Sequence, residues 1–241
     1  MKILITLACA VCFSGIATAA TQEDDVNRYV QIFSSSQNFD QHAVEALAWM
    51  GVSDPRVFDV VERRVLAGVA QGLTDKHTKT EVGLSIRALG FSGQPKYRDT
   101  LLQISADRVY GRYAKAALED LPDYQKWNPL LSNRATFDPK YSDDVNRVLI
   151  MLRSDDFELK KIGAKRIYFQ NKDEVLLDAL VEQIRANYQY SNAQRSDTIA
   201  WMVKALGSAK QAKYRAVLEE VVTFATDRKV AKYAKEGLEK Y

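Results

Sequence analysis

The chain has 241 residues, and its 34 lysines and arginines nearly balance its 31 aspartates and glutamates, which gives a formal net charge of +3. This near balance falls well short of the basic surplus of a nucleic-acid-binding domain, so we expect no nucleic-acid partner. Two cysteines and two histidines are too few for a disulfide framework or an ordinary zinc site, and we expect no metal and no cofactor.

The N-terminus has the pattern of a secretory signal peptide. Lys2 precedes an almost wholly apolar run at 3–16, and Ala-Thr-Ala at 17–19 is a small-x-small cleavage signal. The pattern predicts that residues 1–20 are removed after position 19 or 20. It also predicts a periplasmic or secreted protein, with no transmembrane segment once the signal is cleaved.

Both cysteines, Cys9 and Cys12, lie in this predicted signal peptide, so the mature chain would have neither a disulfide nor a thiol nucleophile. A lipoprotein signal ending at Cys9 is the alternative, but Leu-Ala-Cys there is a poor match to a lipobox.

Apolar residues recur at helical spacing through nearly all of the remaining chain, and no run alternates as a strand would. Asp54 followed by Pro55 is a helix N-cap followed by proline at the first helical position, and Ser142 is placed to cap another helix. Gly51 and Gly207 mark helix ends. The predicted helices span 25–35, 39–50, 55–71, 76–90, 95–108, 110–120, 143–153, 156–170, 173–188, 195–207, 212–225 and 227–240.

Four short motifs occur twice in the same order. DDVNR at 24–28 returns at 143–147, ALG at 88–90 returns at 205–207, KYR at 96–98 returns at 213–215, and YAK at 113–115 returns at 233–235. Ordered repetition at a nearly constant offset indicates a tandem duplication, and internal repetition largely decides the fold. Short loops predict that successive helices are antiparallel neighbours.

The segment AVEALAWMGVSDPR at 43–56 resembles a HEAT-like repeat, with an alanine-rich helix, a glycine, an Asp-Pro turn and an aliphatic helix. A small residue followed by leucine also recurs at intervals of about 40 residues, as in HEAT or armadillo repeats. The resemblance implies an all-α superhelix, a HEAT-like solenoid of about six antiparallel helix pairs. It implies an architecture, not an activity.

We divide the mature chain into a first copy of three pairs at 21–121, a connecting segment at 122–141 and a second copy of three pairs at 142–241. Prolines and aromatic residues mark the connecting segment, and we expect its prolines to break the helix and its apolar residues to cover the seam between the copies. We expect the two copies to form one continuous stack.

No catalytic or metal-binding motif stands out, and we expect no enzymatic activity. The best binding candidates are the duplicated motifs, with Tyr97 and Arg98 in one copy and Tyr214 and Arg215 in the other, because tyrosine and arginine are favoured interface anchors. The alternative is that both tyrosines pack between helices. Three further candidates are Trp127, Lys161 and Lys165, whereas Trp49 and Trp201 are expected in the core.

Solenoids offer extended binding surfaces, and the sequence therefore predicts a non-catalytic scaffold that binds an envelope protein or a peptide. The alternatives are an enzyme-associated, lyase-type HEAT-like helper, and a solute- or glycan-binding module with exposed aromatics such as Trp127. We expect a partner at the seam or on the second copy, which is the more basic of the two.

Overall fold

The computed structural model describes residues 21–35, 40–72, 75–190 and 192–241. The predicted signal peptide lies outside these residues.

Within the described residues the chain forms twelve α-helices and no strand, which confirms the predicted all-α, solenoid-like class. The helices are α1 (Gln22–Ser34), α2 (Gln41–Met50), α3 (Pro55–Gln71), α4 (Lys76–Phe91), α5 (Arg98–Ser105), α6 (Gly111–Leu131), α7 (Asp143–Arg153), α8 (Phe157–Phe169), α9 (Glu174–Asn187), α10 (Ala193–Ser208), α11 (Arg215–Phe224) and α12 (Arg228–Leu238).

Side-chain caps begin many of these helices where the sequence predicts them. The Asp54 carboxylate accepts the Arg56 backbone N–H at 2.8 Å at the start of α3, and the Ser142 hydroxyl accepts the Val145 N–H at 3.3 Å at the start of α7. These bonds satisfy backbone donors that the first turn of a helix leaves free.

The helices form two layers within each copy. The even-numbered helices pack against one another, α2 on α4, α4 on α6, α8 on α10 and α10 on α12, while α1 packs on α3 and α7 on α9. Glycines allow the close approaches in the even-numbered layer. A Cβ at Gly90 would lie 2.6 Å from the Ala117 carbonyl oxygen of α6, and one at Gly207 would lie 2.8 Å from the Gly237 Cα of α12.

The expected break at Pro122 is wrong, because α6 continues through Pro122 and Pro129 to Leu131. A proline inside a helix removes a hydrogen bond and costs about 3 kcal/mol. A stripe of buried side chains at helical spacing, Leu121, Tyr124, Trp127 and Leu131, runs through both prolines. Burial of such side chains contributes about 1.5–3 kcal/mol each and outweighs the lost hydrogen bonds.

The second half of α6 lies between the copies. Tyr124, Trp127 and Leu131 form a core cluster with Met151 of α7 and Leu159 of α8. This cluster is separate from the larger cores of the first and second copies.

The copies are joined differently from the expected continuous stack. Helices α1 and α2 form the first pair of the first copy, yet both contact the second copy. Helix α2 packs against α7, Asp25 of α1 binds Arg147, and Trp49 of α2 lies against Arg166. In a simple linear stack that pair would be remote from the second copy. The seam is therefore formed by the beginning of the first copy together with the extended end of α6.

Ion pairs tie this seam together. Arg147 of α7 donates to the Asp25 carboxylate of α1 at 3.2 Å, and Arg134 of the connecting segment donates to Asp25 at 2.9 Å and to Asp143 at 2.6 Å. The Arg147 side chain is only 4% exposed. Asp25 and Arg147 come from the two occurrences of the DDVNR motif, so the duplicated motif itself links the copies.

Candidate functional site

The duplicated tyrosines are internal and do not form an interface. Tyr97 is fully buried and Tyr214 is 1% exposed. The Tyr97 hydroxyl donates to the Asp59 carboxylate of α3 at 2.7 Å, and the Tyr214 hydroxyl donates to the Asp178 carboxylate of α9 at 2.9 Å. Each tyrosine therefore ties the start of one odd-numbered helix to the previous one.

The neighbouring lysines complete these ties. Lys96 lies 2.6 Å from Asp59, and Lys213 lies 2.9 Å from Asp178. Burial, and then the hydrogen bond to Asp178, raises the pKa of Tyr214 to about 12, while the hydrogen bond from Lys213 lowers the pKa of Asp178. At neutral pH the tyrosine is protonated and the carboxylate charged, as the hydrogen bond requires.

The flanking arginines, Arg98 and Arg215, are exposed. Arg215 pairs with Glu219 of its own helix at 2.9 Å. Because the tyrosines face inward and the arginines outward, the structure does not bring these four candidates together into a binding surface.

Trp127 and Lys161 are also committed to internal contacts. Trp127 is 5% exposed, and its indole N–H donates to the Asp156 carboxylate at 3.0 Å. Lys161 lies between two carboxylates, at 2.6 Å from Glu158 and 3.3 Å from Asp197. A glycan-binding site built on Trp127 is therefore wrong, because no face of this indole is free.

Lys165 is the predicted site residue that lines an open groove. The groove lies at the seam, between α2 and α6 on one side and α8 on the other, and has a volume of about 410 Å³. We call it the seam groove. Its lining residues are Glu45, Ala48, Trp49, Tyr124, Ile162, Lys165, Arg166, Phe169 and Gln170.

The seam groove combines aromatic surface with two cations, Lys165 and Arg166, and one carboxylate, Glu45. Phe169 is 69% exposed and lines the groove together with the partly buried Trp49. The Arg166 guanidinium lies 4.2 Å from the centre of the Trp49 ring and donates to the Asp144 carboxylate at 2.8 Å. Its second terminal nitrogen, Nη1, is buried and has no acceptor, and burial lowers the pKa of this guanidinium.

A second, smaller pocket lies farther along the even-numbered layer. It has a volume of about 170 Å³, lies between α10 and α12, and is lined by Ala200, Trp201, Lys204, Lys229 and Tyr233. We call it the α10–α12 pocket. The Lys204 ammonium lies 4.5 Å from the centre of the Trp201 ring and 5.6 Å from that of Tyr233.

Aromatic contacts join the two depressions. The ring centres of Phe169 and Trp201 are 6.3 Å apart, and those of Tyr168 and Trp201 are 5.9 Å apart. The Lys165 ammonium lies 5.0 Å from the centre of the same Trp201 ring. Among the described residues, neither Lys165 nor Lys204 forms an ion pair with a carboxylate.

The sequence did not indicate Trp49 and Trp201 as site residues, because both lie among aliphatic residues and were expected in the core. Both are partly buried and present part of the ring to a depression. One signal was available. Lys165 and Phe169 are four residues apart and Trp201 and Lys204 three apart, which places each cation and ring on one helix face.

A larger depression, of about 520 Å³, lies over α7 and the connecting segment. Its polar side chains are largely occupied: the Asn146 amide donates to the carbonyls of Asp138 and Tyr141 at 2.9 and 3.1 Å. Its lining includes the exposed Arg153 but no exposed aromatic cluster of the kind in the seam groove, so we do not assign it a function.

No three histidine, cysteine, aspartate or glutamate side chains are grouped to hold a metal ion in the part of the chain that the structure describes. The His42 and His77 side chains are 96% and 80% exposed. Nor is any described helix long and apolar enough to cross a membrane.

No protein-family model and no curated protein sequence matches this chain. Among solved structures, human deoxyhypusine hydroxylase in complex with glycerol is similar, at 13% sequence identity and a TM-score of 0.37, over 91% of this chain and 96% of that one. A likeness this weak assigns neither an activity nor a substrate to the chain.

The expected non-catalytic protein-interaction scaffold is corrected by these findings. Its proposed anchors Tyr97, Tyr214 and Trp127 are buried, so these three side chains do not form the expected binding surface. The similar solved structure is that of an enzyme, but at a TM-score of 0.37 it carries no argument about the activity of this chain.

Proposed function

We propose that this protein is a solute-binding module and that the seam groove binds a ligand with a negative charge and a flat apolar face. The observation that carries this proposal is the position of Lys165, a cation without a carboxylate partner among the described residues, beside the exposed ring of Phe169. Aromatic walls with a few placed polar groups are typical of small-molecule sites.

The residue roles follow from the contacts. The Lys165 ammonium would meet the ligand's anionic group, while Trp49 and Phe169 would stack on its flat face. Arg166 is already paired with Asp144 at 2.8 Å, so Lys165 is the groove cation that has no carboxylate partner among the described residues.

We further propose that the chain is exported and that its helix pairs are of the HEAT-like class. Export is supported by the signal-peptide pattern at 1–20 alone, and the class by the motif at 43–56 and the paired helices. An extracytoplasmic location would bring the groove into contact with solutes of the envelope or the surroundings.

Binding of small anions tests the proposal. Trp49 and Trp201 are two of the three tryptophans, so ligand binding is expected to change tryptophan fluorescence. The probes are glucuronate, benzoate and phenyl phosphate, with glucose as the neutral control. We expect saturable binding of at least one anion. Lys165→Ala should lose about tenfold or more in affinity, since a charged hydrogen bond contributes about 1.5–3 kcal/mol.

Lys161→Ala is the matched control, because Lys161 lies one turn earlier on the same helix but is already paired with Glu158 and Asp197. It should bind the anion as the parent protein does. Absence of saturable binding by all three anions, or equal affinities of the two lysine variants, would contradict the proposal. Thermal melting of each variant separates lost binding from lost folding.

A further inference from the structure

The aromatic surface of the seam groove does not end at the groove. Phe169 belongs to the seam groove, Trp201 belongs to the α10–α12 pocket, and their ring centres are 6.3 Å apart. Tyr168 packs edge-on against both rings, at 4.8 and 5.9 Å. A ligand longer than one ring could therefore extend from one depression to the other over continuous aromatic surface.

Positive charge recurs along this surface. Lys165 approaches the Trp201 ring at 5.0 Å and Lys204 approaches it at 4.5 Å, and neither has a carboxylate partner among the described residues. A ligand that matches both features carries a negative charge on successive units and presents a flat, apolar C–H face between the charges.

Linear glycans built from uronic acids have this chemistry, because each pyranose ring carries one carboxylate and an apolar ring face. We propose that the natural ligand is an acidic glycan chain that occupies the seam groove and the α10–α12 pocket together. This proposal rests on the proposed function and adds the class of ligand and a second subsite.

An acidic peptide is the competing occupant. An extended peptide gains affinity by pairing its backbone with a sheet edge, and the described chain contains no strand. A helical peptide needs a long apolar groove for anchors on successive turns, whereas lysines interrupt this surface at Lys165 and Lys204. Uronate chains require neither feature.

Calorimetric titration of the mature chain with galacturonate and hexagalacturonate tests the proposal. Because two linked subsites act at high effective concentration, we expect the hexamer to bind at least tenfold more tightly than the monomer. Maltohexaose, a neutral chain of equal length, should bind at least tenfold more weakly than the uronate hexamer. Hexaglutamate tests the peptide alternative.

Lys204→Ala should remove most of the hexamer's gain in affinity over galacturonate, because Lys204 lines the α10–α12 pocket and not the seam groove. Phe169→Ala should weaken the binding of both galacturonate and its hexamer. Phe224→Ala is its matched control, since Phe224 is an exposed phenylalanine, 60% accessible, at the end of α11 and outside both depressions. It should leave both affinities unchanged.

The outcomes are distinguishable. Equal affinities for galacturonate and its hexamer would contradict the proposal of a glycan-chain ligand but would leave the proposed solute binding intact. Tighter binding of hexaglutamate than of hexagalacturonate would contradict the glycan ligand in favour of an acidic peptide. If galacturonate, its hexamer and the three small anions all fail to bind, both the chain proposal and the proposed function are wrong.

Discussion

At the scale of single residues, the repeated motifs of this chain serve the fold. Tyr97 and Tyr214 occupy the same place in the two copies, each at the end of a short 3-10 turn that leads into an odd-numbered helix. Each donates a hydrogen bond to a carboxylate of the previous odd-numbered helix. A duplicated side chain therefore marks a duplicated packing contact rather than a pair of binding sites.

Replacing the buried hydroxyls tests this role. Tyr97→Phe and Tyr214→Phe each remove a hydrogen bond to a charged acceptor, and we expect each to lower the free energy of unfolding by about 1–2 kcal/mol. Urea denaturation measures the change.

Tyr190→Phe is the control for both variants, because Tyr190 is 59% exposed and its hydroxyl forms no hydrogen bond in the described chain. It should change the stability by less than about 0.5 kcal/mol. If Tyr190→Phe lowers the free energy of unfolding as much as Tyr214→Phe does, the hydrogen bonds of the buried tyrosines contribute no specific stability.

The groove residues could be predicted from the sequence only in part. Lys165 was a candidate because it lies in a basic cluster, but its neighbour Lys161 was an equally good one. The difference arises from Glu158 and Asp197, which neutralise Lys161 and do not pair with Lys165. Asp197 comes from another helix, so the periodicity of α8 alone contains no information about this pairing.

At the scale of helices, close packing in the even-numbered layer depends on glycines. Gly207 of α10 and Gly237 of α12 face each other, and a Cβ at Gly207 would lie 2.8 Å from the Gly237 Cα, whereas one at Gly237 would lie 3.2 Å from the Gly207 Cα. A side chain at position 207 would therefore push α10 and α12 apart, whereas one at position 237 would make a tight contact that a small shift can relieve.

Gly207→Ala should therefore destabilise the protein by about 1–3 kcal/mol, the usual cost of overpacking a core. Gly237→Ala should cost less, because α12 needs to shift by only a few tenths of an ångström. Denaturant unfolding of the two variants gives the comparison. The reverse order of stabilities would contradict the packing described for this layer.

Helix α6 shows where local rules fail. Two prolines predict its end, yet the helix continues to Leu131 because its buried stripe contacts both copies. The buried Asn128 amide also donates to the carbonyls of Phe91 and Ser92 at 2.9 and 3.0 Å, which satisfies backbone groups at the end of α4. Tertiary contacts of this kind outweigh an unfavourable local sequence.

At the scale of the whole molecule, the seam is the contact that turns two copies into one body. Among the described residues, the two large cores contain residues of one copy each, and the smaller cluster around Trp127 contains residues of both. Arg147, Arg134 and Asp25 add ion pairs between the copies.

The duplicated motif provides a matched test of the seam. Arg147 and Arg28 are equivalent by sequence, but Arg147 is 4% exposed and pairs with Asp25, while Arg28 is exposed. Arg147→Leu breaks a buried ion pair and should cost about 3 kcal/mol. Arg28→Leu should cost less than about 0.5 kcal/mol.

Urea denaturation followed by circular dichroism measures both variants. Equal stability losses would mean that the seam ion pairs do not hold the copies together. A second unfolding transition in Arg147→Leu would show directly that the copies then unfold one at a time.

The helical class and many of the helix starts could be read from the sequence because they depend on local signals: apolar spacing and caps such as Asp54 and Ser142. The course of α6, the pairing of Arg147 with Asp25 and the meeting of Trp49, Lys165 and Trp201 along one surface were decided by tertiary structure alone. These features bring together side chains that are distant in the chain, and their free energy comes from burial and charge pairing that no local pattern records.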